Sequence, residues 1–347
     1  MAHRGCLGSL QRRLLVVHHW DADGIASAAI LAREAGLEGV EFTVPVIGEY
    51  SVDAVASRVR GFDGYDVIYV LDYGIAGVLG ELHVRSGGLP IVYVDHHRVG
   101  CGGCGAWCGC CNPVALGWGG EREYPSAALL LSELVGHSWD LGAVGLVGDV
   151  PGVVERRPGL VSRLVRGYGV GLGELRNAVE NVDSCYPLLD YDCIRHAVKV
   201  LAVGGVSEAA CDARLSGARE RLRRVLEGYV AEMLSKAVRL GPVLFSELEG
   251  DYLVYSKLGR RLAEEAGPRG AGVLAFYMPS MGKGVVYVRS VGRSVSWLID
   301  YARGRGFNAG GKERVAVIHV RAGREEFQEL AVRLAELVSG RLSGSQA

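Results

Sequence analysis

Asp95, His96 and His97 close the apolar run Ile91–Val94, and His19-Trp20-Asp21-Ala22-Asp23-Gly24 follows the run Leu14–Val17. Asp72 ends a third run, Asp66–Leu71, and Asp149 follows a fourth, Leu141–Val147. Alternate side chains of an extended strand share a face, so His19, Asp21 and Asp23 are expected to project together. Asp21, Asp23, Asp72, Asp95 and Asp149 gathered in one crevice would repel strongly, and two divalent cations remove that difficulty. Carboxylates and imidazoles without thiolates suit Mn²⁺, with Mg²⁺ or Co²⁺ as substitutes. A bridging carboxylate holds such ions roughly 3.5–4 Å apart and acidifies a shared water, which is chemistry for in-line displacement at phosphorus. Each piece alone has a plainer reading, Asp-His-His as a turn with surface imidazoles and Asp149 as a helix-end carboxylate. Their recurrence at successive strand ends favours the cluster.

The elements that must position these residues alternate. Strands are expected at Leu14–Val17, Val40–Ile47, Asp66–Leu71 and Ile91–Val94, with helices after Gly24, over Val52–Val59 behind a Ser51 cap, and from Pro125 to Val135. Pro45 marks the second strand as an edge strand. Alternation of this kind implies a doubly wound, mostly parallel α/β sheet, whose carboxyl-end edge is where such sheets hold ligands. A long amphipathic helix, Ser207–Leu240, is expected to connect this domain (1–205) to a smaller α/β domain (241–347), with residues 206–240 as the connector. In the smaller domain, strands are expected at Tyr252–Tyr255, Val273–Tyr277, Val285–Val288 and Arg314–Val320, and helices at Leu258–Ala266, Val295–Ala302 and Glu325–Val338.

The 347 residues, 49% of them hydrophobic, suffice for two cores, and a formal net charge of −1 gives no overall basic field for a polyanion. No 18-residue apolar run and no secretory leader is evident, so the chain is expected to be cytoplasmic and free of the membrane. Nine cysteines fit a reducing compartment. Five crowd one loop, Cys101, Cys104, Cys108, Cys110 and Cys111, which admits a structural Zn²⁺, a disulfide or plain thiols. Cys6, Cys185, Cys193 and Cys211 read as small packed hydrophobes.

The ordered set His19-x-Asp21-x-Asp23-Gly24, Asp72, Asp95-His96-His97 and Asp149 resembles the four motifs of the DHH phosphoesterase superfamily, in its RecJ-like and archaeal branch. Asn112-Pro113 and Tyr124-Pro125-Ser126 resemble the family's spacer between the third and fourth motifs. The resemblance implies that His19 and Asp21 hold one metal and Asp23, His96 and Asp149 the other. Asp72 would bridge them, His97 would meet substrate phosphate, and Asp95 would orient a histidine. The family often places its first histidine where Val17 stands here, and His18 reads as structural.

The second domain resembles the DHH-associated substrate-binding domain, through Arg289-Ser290 and the glycine-rich stretch Ala309-Gly310-Gly311-Lys312. Lys312 stands where that family has histidine. The resemblance makes Arg289, Ser290, Gly310, Gly311 and Lys312 substrate-binding, with Arg305 and Asn308 as nearby alternatives. A simple turn before Val315 is the competing reading. The implied function is a Mn²⁺-dependent phosphodiesterase, an exonuclease releasing mononucleotides from single-stranded DNA or short RNA. The alternatives are a small-substrate phosphoesterase (cyclic dinucleotide, 3′-phosphonucleotide or polyphosphate) or a scaffold in replication. Implied partners are single-stranded nucleic acid or a nucleotide, and replication or repair proteins.

Overall fold

The computed structural model describes residues 4–8, 13–98, 100–120, 122–150 and 152–344. The chain divides into two units, Met1–Glu220 and Arg221–Ala347.

In the first unit, strands β1 (Leu14–His18), β2 (Val40–Thr43), β3 (Val67–Leu71), β4 (Ile91–Val94) and β5 (Cys108–Cys111) form a parallel sheet in the order β2-β1-β3-β4-β5. β1, β3 and β4 are buried along their whole length, which is why they read as unbroken apolar runs. β2 lies at an edge as Pro45 implied, but it stops at Thr43, before that proline. β5 was not expected. It forms inside the cysteine loop, whose glycines and cysteines carry no strand signature, and it exists through pairing with β4.

Helix α1 (Ala22–Ala35) starts two residues before the expected glycine, because Asp21 caps it by accepting from the Gly24 amide at 3.2 Å. Gly24 itself is obligatory: a Cβ there would stand 2.4 Å from the His19 carbonyl oxygen. Helices α2 (Val52–Ala56), capped by Ser51, and α3 (Leu79–Arg85) connect the next strands. α4 (Ala127–Val135), capped by Ser126, packs with α5 (Trp139–Asp149) and α1. The close packing is written in α5 as Gly142, Gly145 and Gly148. A Cβ on each would meet Ser132 Oγ at 2.6 Å, Asp23 Oδ1 at 2.2 Å and the Ala22 Cβ at 2.9 Å. That stripe lets α5 deliver Asp149 beside the strand ends. Helices α6 (Val153–Arg156), α7 (Pro158–Val165), α8 (Leu172–Val182) and α9 (Tyr191–Cys211) complete the unit.

The single helix expected over Ser207–Leu240 is two. α9 ends at Cys211, Asp212 caps the restart by accepting from Leu215 N at 2.9 Å, and α10 runs Ala213–Lys236 across the boundary between units. Continuous amphipathic spacing hid the break.

The second unit holds a six-stranded sheet, β10-β11-β9-β8-β7-β6, antiparallel except for the β7–β8 pair. Its strands are β6 (Val238–Leu240), β7 (Val243–Glu249), β8 (Ala271–Met278), β9 (Lys283–Ser290), β10 (Asn308–Lys312) and β11 (Val315–Val320). The expected strand at Tyr252–Tyr255 is absent: the strand lies earlier, at β7, and Tyr255 opens α11 (Tyr255–Ala266). α12 (Trp297–Arg303) and α13 (Arg324–Ser343) close one face of the sheet. Phe327, Ala331, Leu334, Ala335, Val338 and Leu342 recur at helical spacing and bury against it. Each fully buried large side chain among them contributes about 1.5–3 kcal/mol.

Candidate metal centre

The acids and imidazoles of the four motifs meet at the carboxyl ends of β1, β3 and β4. They do not arrive by strand alternation: Asp21 is a helix cap and Asp23 lies in the first turn of α1. Asp72, after β3, takes a left-handed backbone (φ 54°), a conformation costing about 1–3 kcal/mol for such a residue, and its amide donates to the Val94 carbonyl at 2.8 Å. Asp149 is the last residue of α5.

Three overlapping groups of potential ligands share this space, His19–Asp21–Asp72, Asp23–His96–Asp149 and Asp72–Asp95–His96–His97. His19 Nδ1 lies 2.9 Å from Asp21 Oδ2 and 3.9 Å from Asp72 Oδ2. His96 Nε2 lies 3.1 Å from Asp149 Oδ2, 3.6 Å from Asp72 Oδ1 and 3.8 Å from Asp23 Oδ2. In each of the sets His19–Asp21–Asp72 and Asp23–His96–Asp149, one donor atom per residue falls within 4.8 Å of the others. Asp72 faces both. His19 Nδ1, Asp72 Oδ1 and both nitrogens of His96 are buried without a hydrogen-bond partner, so the short distances lack hydrogen-bond geometry. Buried polar atoms without partners are costly, and convergent lone pairs of this kind fit divalent cations.

Electrostatics point the same way. Burial pushes the Asp72 carboxyl well above the usual carboxylate range, and Asp23, Asp21, Asp149 and Asp95 add to it. Asp23 is pushed up to about 7 by burial and then by Asp149. Burial opposes ionisation of Asp21 as well, but His19 outweighs it and draws the carboxyl down to about 2. Burial disfavours charge on His96, yet Asp149, Asp23 and Asp95 raise it to about 9. His18, buried with Nδ1 2.7 Å from the His19 carbonyl, is lowered to about 4 by desolvation and stays neutral, a packing residue.

Asp95 is the best satisfied of the acids. Its Oδ1 accepts from the amides of His96 (2.7 Å) and His97 (3.2 Å) and faces His97 Nδ1 at 2.8 Å, while Oδ2 accepts from the Tyr93 hydroxyl. It therefore fixes the His97 ring, whose side chain is 53% exposed and open to a ligand. The spacer residues serve as supports. Asn112, fully buried, donates to the His97 carbonyl at 3.0 Å, and Ser126 Oγ donates to Asp23 Oδ1 at 2.7 Å. Tyr50, which the sequence reading missed, brings its hydroxyl to 3.0 Å from His19 Nε2 and stacks on Tyr73 with centroids 5.3 Å apart. It lies in a connection after β2 with no motif to mark it.

In the second unit, Lys312, Val315 and Arg289 share one register across β10, β11 and β9, so their side chains leave the same face. Gly310 and Asn308 follow at two-residue steps on that face. Gly311 falls in the register of the core residues Ala316 and Val288, with φ 146° and a Cβ position 2.0 Å from the Val315 carbonyl oxygen. The glycine-rich stretch is thus an edge strand of a hairpin, neither an open loop nor a mere turn. Ser290 is buried, donating to Gly270 O at 2.8 Å and accepting from Arg293 N at 3.1 Å, so its hydroxyl serves the backbone. Arg305 is exposed, its guanidinium 3.7 Å above the Tyr301 ring.

Of the readings left open for the loop the disulfide holds, and the reading of the outlying cysteines is corrected. Cys101 pairs with Cys110, Cys104 with Cys108 and Cys6 with Cys111, all as disulfides, so the loop offers no thiolate set for Zn²⁺. Cys185 and Cys193 are buried but joined, and Cys211 is free and exposed, so none of the four outlying cysteines is simply a packed thiol. Lying far apart in sequence, Cys6 and Cys111 gave no sign of pairing.

No protein-family model matches the chain. Over 93 residues it is 34% identical to the single-stranded-DNA-specific exonuclease RecJ of Escherichia coli, covering 25% of this chain and 16% of that protein. RecJ of Thermus thermophilus, solved in complex with Mn²⁺, superposes with a TM-score of 0.69 at 19% identity, covering 97% of this chain and 54% of that one. An exonuclease RecJ bound to manganese gives 0.68 at 20% identity, covering 98% and 95%. The chain has the RecJ-like DHH fold. The resemblance drawn from its four motifs is borne out at the level of fold, and this chain spans only part of the E. coli and Thermus proteins. Among the described residues, no helix of this DHH-fold chain is long and apolar enough to cross a membrane.

Proposed function

We propose that this protein is a divalent-metal-dependent phosphodiesterase, an exonuclease that releases mononucleotides from single-stranded DNA or short RNA. The observation that carries the proposal is Asp72 lying between the sets His19–Asp21–Asp72 and Asp23–His96–Asp149, 3.9 Å from His19 Nδ1 and 3.6 Å from His96 Nε2, with buried lone pairs that nothing in the protein satisfies. His19 and Asp21 would hold one cation, Asp23, His96 and Asp149 the other, and Asp72 would face both. Mn²⁺ suits this donor set, with Mg²⁺ or Co²⁺ as substitutes. When bound, the ions supply an acidified water and neutralise charge developing on the phosphoryl oxygens.

The remaining steps belong to the chain. His97, held by Asp95, would donate to a phosphate oxygen. The small inward residues of α5 keep Asp23 and Asp149 in register. Arg289, Lys312 and Asn308, displayed on one face of the second sheet, would grip substrate phosphates, with the Gly310 amide beside them. Replication or repair proteins as partners and a cytoplasmic location belong to the same proposal, although the four disulfides run against the reducing compartment expected from the cysteines. Incubating 5′- and 3′-labelled oligonucleotides with Mn²⁺ should give mononucleotides. No product with any divalent metal would refute the assignment, and turnover of dinucleotides with a 20-mer ignored would move it to the small-substrate alternative.

A further inference from the structure

β2 is the terminal strand of the parallel sheet, pairing with β1 and, among the described residues, with no other strand. A groove of about 570 Å³ is lined by β2, by Arg13 and Leu14 at the amino end of β1, and by Tyr65 before β3. Residues 38–44 line it one after another, so the groove follows the strand and the residues leading into and out of it. Its walls bring Arg13, Arg58, Arg60, Arg195 and Lys199 against Glu38 and Glu41, and Arg195 is paired with Asp192 on its own helix. That leaves a surplus of two positive charges in a chain whose formal net charge is −1. Glu41 is moreover engaged by the Tyr65 hydroxyl. None of the acids of the metal centre lines this groove.

One wall is rigid. Tyr191, Arg195 and Lys199 recur every four residues and so share one face of α9. The Tyr191 hydroxyl accepts from the Ile47 amide at 3.0 Å, and the Arg58 guanidinium lies 3.9 Å over its ring. An unpaired sheet edge presents both N–H and C=O groups. A phosphodiester backbone offers chiefly acceptors and would leave the edge carbonyls unmatched. A peptide strand supplies donors and acceptors at the matching spacing, and its side chains would meet the basic walls.

We propose that this groove binds an acidic, extended segment of a partner protein, which adds to β2 as a further strand of the sheet. Main-chain pairing with β2 supplies binding, and the arginine and lysine walls select acidic side chains.

The test is selection from a displayed library of random peptides of about ten residues, a generous strand length, on the full chain. The comparison is the double variant Arg60→Glu, Lys199→Glu, both exposed positions outside the metal centre. Enriched peptides should be rich in Asp and Glu alternating with β-branched residues. The double variant should bind them at least about tenfold more weakly. Peptide binding should protect from hydrogen exchange those amides of residues 40–43 that do not already pair with β1, and proline at the peptide centre should abolish binding. Circular dichroism and Mn²⁺ content, unchanged, verify the fold of the double variant; if it does not fold, Arg60→Gln, Lys199→Gln replaces it. Selection with no acidic preference would overturn the proposal, as would peptides that tolerate central proline or bind both proteins alike. Protection of the same amides by a single-stranded oligonucleotide, which also displaces every enriched peptide, would mark the groove as a nucleic-acid track and equally overturn it.

Discussion

Gly145→Ala is a change of one methyl group, at a residue that is not proposed to touch metal or substrate, and it should nevertheless disable the metal centre. The new Cβ would stand 2.2 Å from Asp23 Oδ1, 2.6 Å from the Ala128 Cβ and 2.7 Å from Ser126 Oγ. Ordinary contact needs a little over 3 Å, so either α5 retreats by about 1 Å or Asp23 swings away. Overpacking of this kind costs about 1–3 kcal/mol. Asp23 accepts from Ser126 Oγ at 2.7 Å, Ala127 N at 2.7 Å and Ala128 N at 2.8 Å, and bonds to a charged group contribute about 1.5–3 kcal/mol each. The carboxylate is therefore held firmly and α5 is the element expected to move, taking Asp149 with it. Displacing one ligand by about 1 Å should weaken divalent-metal binding by about tenfold or more, as loss of a supporting contact does at metal sites. Calorimetric Mn²⁺ titration and thermal unfolding of the metal-free protein read the two effects separately. Unchanged Mn²⁺ affinity in a protein of unchanged stability would refute the claim that the glycine stripe sets the ligand geometry.

Tyr50→Phe removes the hydroxyl facing His19 Nε2 and should lower metal affinity about tenfold, with Tyr50→His retaining part of it; equal titration curves would show that Tyr50 is a bystander. Because burial pushes Asp23 up to about 7 and Asp72 above the carboxylate range, cations must displace protons, and Mn²⁺ affinity should rise with pH through about 7. The same raised value means that the stabilisation from Asp23 in the metal-free protein is present below the unfolded value of 3.8 and fades as pH rises to about 7, so melting without metal should occur at lower temperature at pH 8 than at pH 5; the opposite order contradicts the shift. Arg289→Ala or Lys312→Ala should raise KM for oligonucleotides about tenfold to a hundredfold while metal content is unchanged, and lost metal would place them in the reaction centre instead.

Much of the centre was legible because its residues obey two strict local rules. Fully buried parallel strands must be apolar, so Leu14–Val17 and Ile91–Val94 stood out, and an acid at the end of such a run has few structural excuses. What escaped depends on tertiary context. β5 is a strand only because β4 is beside it, and its Cys-Gly-Cys-Cys composition carries no propensity. The α9–α10 break rests on one aspartate, Asp212, in an otherwise continuous apolar period. Alternation from β1 does not bring these residues together; the turn into α1, forced by Gly24, brings Asp21 and Asp23 round. Tyr50 was invisible because a lone exposed tyrosine has no spacing to betray it.

Sharing of Asp72 between two ions is the central claim, and crystals soaked in Mn²⁺ test it most directly through anomalous scattering. Two peaks are expected, roughly 3.5–4 Å apart, one beside His19 and Asp21, the other beside Asp23, His96 and Asp149, with Asp72 reaching both. In Asp72→Asn both should fade, along with hydrolysis of labelled oligonucleotides. A single peak in the native protein, or two full peaks and normal turnover in Asp72→Asn, would contradict the binuclear centre.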